Sequence, residues 1–172
     1  MNRTPRTQSK GFTLIELLIV IAIIGIIASM LIPNLLDAMQ KTKQKRTIAE
    51  MRITGTAMFS WLTDQVGAAA AGQSSTKINL ASYGSEKSVD DLYTVLVPNY
   101  LQSVPVLDGW KRPYDYYLNT AKLVGQNVMA IRSRGRDDVA ETEDYSVTSF
   151  EPTDYDRDIV WADGFMVRWP QK

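Results

Sequence analysis

Residues 12–32 form an unbroken apolar run in which Glu16 is the one charged side chain. At about 1.5 Å of rise per residue, a helix over this run is roughly long enough to cross a bilayer. Beyond Pro33 the pattern changes. Ile48, Met51, Gly55, Met58, Leu62 and Val66 recur at three- and four-residue steps and give a single apolar stripe. The pattern predicts one long helix from about Phe12 to Val66, apolar all round in its first half, amphipathic in its second and kinked at Pro33, which has no backbone donor. Residues 67–88 keep no period and are rich in small and polar side chains, which reads as a long connection. Ser88 with Asp91 marks a short helix start, with Leu92, Val95 and Leu96 on its apolar side. A proline-punctuated crossing, VPNYLQSVPVLDGW, follows. Four strand-like runs come next: Tyr114–Leu118, Val128–Ser133, Ile159–Trp161 and Phe165–Trp169. Ala162-Asp163-Gly164 between the last two signals a hairpin. Short strands after a long amphipathic helix predict an α+β domain whose antiparallel sheet covers one face of that helix.

Composition narrows the chemistry. The chain has no cysteine and no histidine, which excludes thiol nucleophiles, disulfides, His-based triads and zinc sites with Cys or His ligands. It has no glycine-rich phosphate loop and no Gly-x-Ser-x-Gly. Paired carboxylates raise glycoside hydrolysis, but no sugar-cleft signature accompanies them. The formal charge is zero and unevenly spread. Lys41, Lys43, Lys45, Arg46 and Arg52 stand against Glu50, whereas residues 137–163 hold ten acids and only Arg157 as a base. The basic stretch lacks interleaved aromatics and reads as a solvated face rather than a nucleic-acid site.

The N-terminus is where chemistry concentrates. Arg3, Arg6 and Lys10 precede the apolar run with no acid among them, as in a targeting segment. A secretory signal peptide fits poorly, because the run is long and ends in Met30-Leu31-Ile32-Pro33 rather than at a small-x-small site. A plain signal anchor leaves Glu16 unexplained, since a carboxylate in lipid costs several kcal/mol and calls for a partner. The residues GFTLIELLIVIAIIG resemble the N-terminus of the class III prepilins: type IV pilins and the pseudopilins of type II secretion. The resemblance implies cleavage after Gly11 by a prepilin peptidase at the cytoplasmic face, N-methylation of Phe12, and a role for Glu16 in docking against the Phe12 amine of a neighbouring subunit. An α-amino group with a pKa of roughly 7.7–8.0 is mostly cationic at neutral pH, so such a pair removes two lone charges at once. An acid held at the membrane interface by its own Phe12 is the intrachain alternative. Cleavage leaves 16 basic against 19 acidic side chains. The basic cluster after the membrane run argues against a cytoplasmic leader on a strict positive-inside count, and the resemblance outweighs it. Ala22, Gly25 and Ser29 lie at small-residue spacing that lets neighbouring helices approach closely.

A second resemblance lies in the C-terminal half. VPVLDGWKRPYDYY (104–117), SRGRDD (133–138) and DIVW (158–161) are similar, in order, to motifs of the type II secretion major pseudopilin. That resemblance implies the pilin fold and a calcium loop in which Asp137 and Asp158 supply carboxylates, with Asp156 competing for the second place. The carbonyls of Arg134 and Val139 occupy the matching backbone positions. Calcium takes six to eight oxygen ligands, which such a loop gathers. The chain departs from the motif at Asp138, where the family has glycine, and in a longer span over 139–157. Glu141, Glu143 and Asp144 are further candidates there, and a solvated acidic loop is the alternative to a metal site.

Together these readings describe a leader (1–11), a long helix (12–66) that spans the inner membrane over 12–32, and an α+β domain (67–172) expected in the periplasm. The expected function is structural and non-enzymatic: a subunit that polymerises into a pilus-like filament acting in protein export. Its expected partners are further copies of itself, the peptidase, the membrane, the inner-membrane assembly platform and minor pseudopilins or pilins. A type IV pilin of a surface pilus and a non-polymerising, membrane-anchored calcium-binding domain are the alternatives.

Overall fold

The computed structural model describes residues 11–66, 77–120 and 123–171. The predicted leader, apart from Gly11, therefore lies outside the described residues, as does the first part of the predicted connection. The chain divides into two compact units, one up to Ala38 and one from Met39 onward. The division falls inside the first helix, α1 (Leu14–Val66), and not at its end. The reason lies in which residues of α1 have neighbours.

In the first unit, α1 is bare. Every large apolar side chain from Phe12 to Leu36 is exposed. Helical assignment continues through Pro33. The proline leaves the Ser29 carbonyl without its usual donor, and side chains bond to carbonyls nearby: Ser29 Oγ donates to Ile26 O at 2.7 Å and Asn34 Nδ2 to Met30 O at 3.2 Å.

In the second unit, the predicted stripe becomes the core-facing side of α1. Met51, Gly55, Met58 and Leu62 are buried, with Ile48 and Val66 packed at the margin. Gln44, Thr47 and Thr54 are buried as well. The stripe packs against a six-stranded sheet built from β2 (Glu86–Lys87), β3 (Asp115–Leu118), β4 (Met129–Ser133), β6 (Thr148–Phe150), β7 (Ile159–Ala162) and β8 (Phe165–Pro170), in the order β2-β3-β4-β7-β8-β6. All pairs are antiparallel except β6 with β8, which is parallel at the sheet's edge. The four strands expected from the sequence are β3, β4, β7 and β8. The hairpin between β7 and β8 turns through Asp163 (φ 45°) and Gly164 (φ 104°), the left-handed pair such two-residue turns need. The short helix α2 (Val89–Leu96) starts at Ser88 with a full capping box to Asp91 and buries Leu92 and Leu96 in the same core.

The sheet is covered on both faces. Tyr116, Leu118, Met129, Ile131, Ile159 and Trp161 pack in the helix-side core, whereas the alternating Tyr117, Ala130, Val160 and Ala162 belong to a second cluster. That second cluster is closed by Ile78, Leu80, Tyr83 and Tyr145. They come from a two-stranded ribbon, β1 (Lys77–Asn79) with β5 (Asp144–Ser146), and from a 3₁₀ turn at Leu80–Tyr83. Residues 77–88 thus hold β1, the 3₁₀ turn and β2 instead of the unstructured connection predicted there. Each piece is only two to four residues long, too short for a period to show.

Candidate functional site

The N-terminal segment explains its acid locally before any partner is considered. Glu16 Oε2 accepts from Thr13 N at 2.8 Å and Thr13 Oγ1 at 2.6 Å, and Glu16 N donates back to Thr13 Oγ1 at 3.3 Å. Thr13 and Glu16 therefore make the reciprocal pair of a capping box, satisfying backbone donors that the start of α1 would leave open. The spacing Thr-x-x-Glu is the sequence signal for it, and Thr13 is the residue that the sequence reading passed over. Phe12 precedes the cap and is exposed, as is Gly11. The helix that follows is long and apolar enough to cross a membrane by length and composition, and its apolar window is wholly unburied. The core helix of a water-soluble domain would bury that window. Ala22, Gly25 and Ser29 lie on this bare stretch, and a methyl group added at Gly25 would meet nothing within 4 Å.

The C-terminal motifs converge in the second unit, where they pin a loop to α1 and to the sheet. Asp108 is buried and accepts from the amides of Trp110 (2.8 Å) and Arg112 (2.9 Å) and from Ser133 Oγ (2.7 Å), which ties the first motif to the second. Gly109 N donates to Thr47 Oγ1 at 2.9 Å, and Trp110 Nε1 to Gln40 Oε1 at 2.7 Å. Gly135 takes φ 68° with the Tyr155 and Arg157 carbonyls within 2.9 Å of where a Cβ would stand, so the glycine of the second motif is required by both conformation and space.

The carboxylates assigned to calcium engage other partners. Asp137 Oδ1 accepts from Val139 N at 3.1 Å, in a turn whose Val139 side chain is exposed. Both oxygens of Asp156 take the Arg136 guanidinium, at 2.8 and 2.6 Å, which holds this carboxyl below its ordinary range. The Arg134 side chain, which the carbonyl role does not use, grips Asp115 at 2.9 and 2.6 Å. Asp158 is fully buried. Its Oδ2 accepts from the Tyr145 hydroxyl and from Glu141 N, and its Oδ1 has no partner. Burial pushes the Asp158 carboxyl up, against the opposing pull of those two hydrogen bonds. Asp138 sits at φ 61°, the left-handed conformation that glycine takes most easily, so the backbone turn survives the side-chain change. Among the described residues no three acidic side chains gather into a metal-binding group. The carboxylates implied for calcium are thus engaged singly, Asp137 by Val139 N, Asp156 by Arg136 and Asp158 by Tyr145.

The charge balance of the acidic stretch also changes. Arginines outside residues 137–163 reach into the acidic stretch. Arg132 pairs with Glu143 at 3.0 Å, Arg136 with Asp156 at 2.6 Å and Arg168 with Glu141 at 2.7 Å, while Arg157 bridges Glu141 and Asp154. Arg132 and Arg136 stand just before residue 137 and Arg168 just after residue 163, so a count confined to that stretch leaves these bases out. Asp163 is likewise engaged. It accepts from Tyr83 OH (2.8 Å) and from the amides of Asn127, Val128 and Met129 (3.1 Å each), fastening the hairpin to the ribbon side.

The family described as "Prokaryotic N-terminal methylation motif" matches residues 6–32. The N-terminal segment is that of a class III prepilin. A type IV wide pilus major component of Thermus thermophilus is 71% identical over 34 residues, 20% of this chain and 26% of that protein. A type IV major alpha-pilin of Moraxella bovis is 41% identical over 80 residues, 46% of this chain and 50% of that protein. The type II secretion system core protein G of Aeromonas hydrophila is 37% identical over 46 residues, 27% of this chain and 32% of that protein. The matches to these relatives span between a quarter and a half of their length. No solved structure matches the chain.

Proposed function

We propose that this chain is a membrane-anchored subunit of a pilus-like filament, processed by a prepilin peptidase after Gly11 and methylated at Phe12. The observation that carries the reading is the bare, apolar stretch of α1 up to Ile32, with Glu16 as its one acid at the capped start. Such a helix is stable in lipid or against other apolar helices, and unstable in water. Freed of its leader, Phe12 presents an ammonium group beside the cap. Glu16 has Oε2 engaged by Thr13 and keeps Oε1 for that ammonium on a neighbouring subunit, so docking neutralises two charges in a medium that tolerates neither. Ala22, Gly25 and Ser29 permit close approach of the next helix. The second unit lies on the far side of the inner membrane from the leader, in the periplasm.

Within this class the type II secretion pseudopilin is the first choice. The ordered motifs around Asp108, Gly135 and Asp158 and the likeness to a core protein G support it. The several type IV pilins among the relatives favour a second reading, a surface pilus. The assembly platform and minor subunits are the partners either reading requires. Mass spectrometry of protein purified from a peptidase-competent host tests the processing: the expected terminus is N-methyl-Phe12, and an intact Met1 terminus would refute it. Imaging filaments from cells expressing this subunit alone tests the rest. Long surface fibres favour the pilus, short periplasmic ones the pseudopilin, and none in any host would overturn both.

A further inference from the structure

The second unit carries a groove that its own chain leaves open. It encloses about 580 Å³ between α1 and the end of β8, lined by Lys41, Lys45, Ile48, Arg52, Trp169 and the buried Gln44. Three features mark it as a binding surface. The walls are mainly apolar, from Ile48 and Trp169. The rim is basic, and among the described residues neither Lys45 nor Arg52 has an ion-pair partner. Gln44 is 4% exposed, yet its amide nitrogen donates to nothing. A buried donor without an acceptor is costly, and an incoming oxygen removes that cost.

An occupant should therefore be apolar at its tip, acidic at its flanks and rich in acceptors. The turn Asp137–Glu141 offers such a tip and, in Asp137, an acid to meet the rim, Glu141 being taken by Arg157 and Arg168. Val139 projects at 61% exposure between Asp137 and Glu141. The Asx turn from Asp137 to Val139 N holds its shape. Unlike Asp156 and Glu141, Asp137 has no arginine on it among the described residues. None of these residues lines the groove of the same chain. We infer that the Asp137–Glu141 turn of one copy seats in the Lys41–Arg52 groove of a second copy. The contact joins two different patches of identical chains. Such heterologous contacts do not close into a dimer by symmetry, and when the rotation does not close they generate an open helical polymer. The inference rests on the filament reading above and supplies it with a contact outside the membrane.

The absence of cysteine makes the test clean. Lys45→Cys and Val139→Cys are placed together in the full chain, expressed in a peptidase-competent host, and sheared filaments are oxidised and run without reductant. The expected result is a ladder of covalent multimers, with neither single variant giving more than dimer. A charge exchange gives the second measurement. Lys45→Glu and Asp137→Lys should each lower filament yield by about tenfold, and the double variant should regain about threefold over either single, the charge pairing returning without the Asx turn. Both positions are exposed, so folding is not at stake. Normal filaments without a ladder, or a double variant no better than the singles, would overturn the contact and leave the filament reading intact. A wild-type chain that forms no filaments in any host would overturn both.

Discussion

Gly55 faces Trp161 across the main core so closely that a single methyl group there should be felt. A Cβ at position 55 would lie 2.4 Å from Trp161 Cε2, 2.6 Å from Cζ2 and 2.7 Å from Cδ2. Carbon atoms rest about 3.5–4.0 Å apart, so the indole must retreat by about 1 Å. It has little room. Trp161 is 4% exposed and sits on β7, hydrogen-bonded between β4 and β8. Overpacking of this kind costs about 1–3 kcal/mol, and a rigid ring on an interior strand belongs at the upper end. Against it stands the better helix propensity of alanine, about 1 kcal/mol. Gly55→Ala should therefore destabilise the second unit by about 2 kcal/mol. For a domain of about 130 residues that lowers the melting temperature by about 7 °C. Thermal unfolding of a fragment beginning at Met39, followed by far-ultraviolet circular dichroism, measures it. Trp161→Leu should reverse the sign. With the indole gone, Gly55→Ala should raise the melting temperature by about 3 °C over the Leu variant alone, because only the propensity gain remains. A Gly55→Ala variant more stable than wild type in the Trp161 background would refute the reasoning.

Other expectations test other parts of the molecule. Glu16→Ala should spare cleavage at Gly11, read by mass spectrometry, while removing filaments from the sheared fraction; normal filament yield would show that the acid serves only as a cap. Asp163→Ala leaves three amides and the Tyr83 hydroxyl without their acceptor and should cost about 2–4 kcal/mol by urea titration of the Met39 fragment. Chelator should shift the melting of that fragment by less than about 1 °C, whereas a bound ion at a hundredfold excess over its Kd is worth about 2.7 kcal/mol and would be seen at once as calcium is added back. Asp158 has a raised carboxyl pKa in the folded protein, so its contribution is greatest below the ordinary value of 3.8 and is lost as pH rises through the folded value. The advantage of Asp158→Asn over wild type in melting temperature should accordingly grow between pH 4 and pH 7.

What was legible in the sequence was whatever repeats over a long enough window. The stripe through Met51, Met58 and Leu62 and the alternation in the strand runs around Tyr116, Ile131 and Trp161 both located buried faces. The Ser88 capping box and the Asp163-Gly164 turn located boundaries. The β1–β5 ribbon escaped notice because three-residue strands carry no period, and because Ile78 and Tyr145 meet only through pairing across 67 residues of chain. The arginines failed for a related reason. Arg132, Arg134, Arg136 and Arg168 look like solvated charges along the chain, and only the sheet brings them to Asp115, Asp156 and Glu141.

The acid in the membrane run shows how a local and a collective role can share one side chain. A capping box alone would account for Glu16 in a helix that starts in water, and there a serine or aspartate cap without the glutamate would serve nearly as well. In lipid the comparison changes. A carboxylate with one oxygen on Thr13 and the other free remains a net charge, and a cap satisfies donors without neutralising anything. The cap fixes where the carboxylate points and removes its rotamer freedom before a partner arrives, so less entropy is lost when the partner binds. Thr13→Val separates the two roles. It removes the hydroxyl that grips Glu16 while leaving the charge and the Thr13 position's backbone donor in place. If pre-positioning matters, filament yield should fall with Glu16 intact and cleavage unchanged, and by less than in Glu16→Ala. Equal yields for Thr13→Val and wild type would mean that the incoming ammonium alone orients the acid.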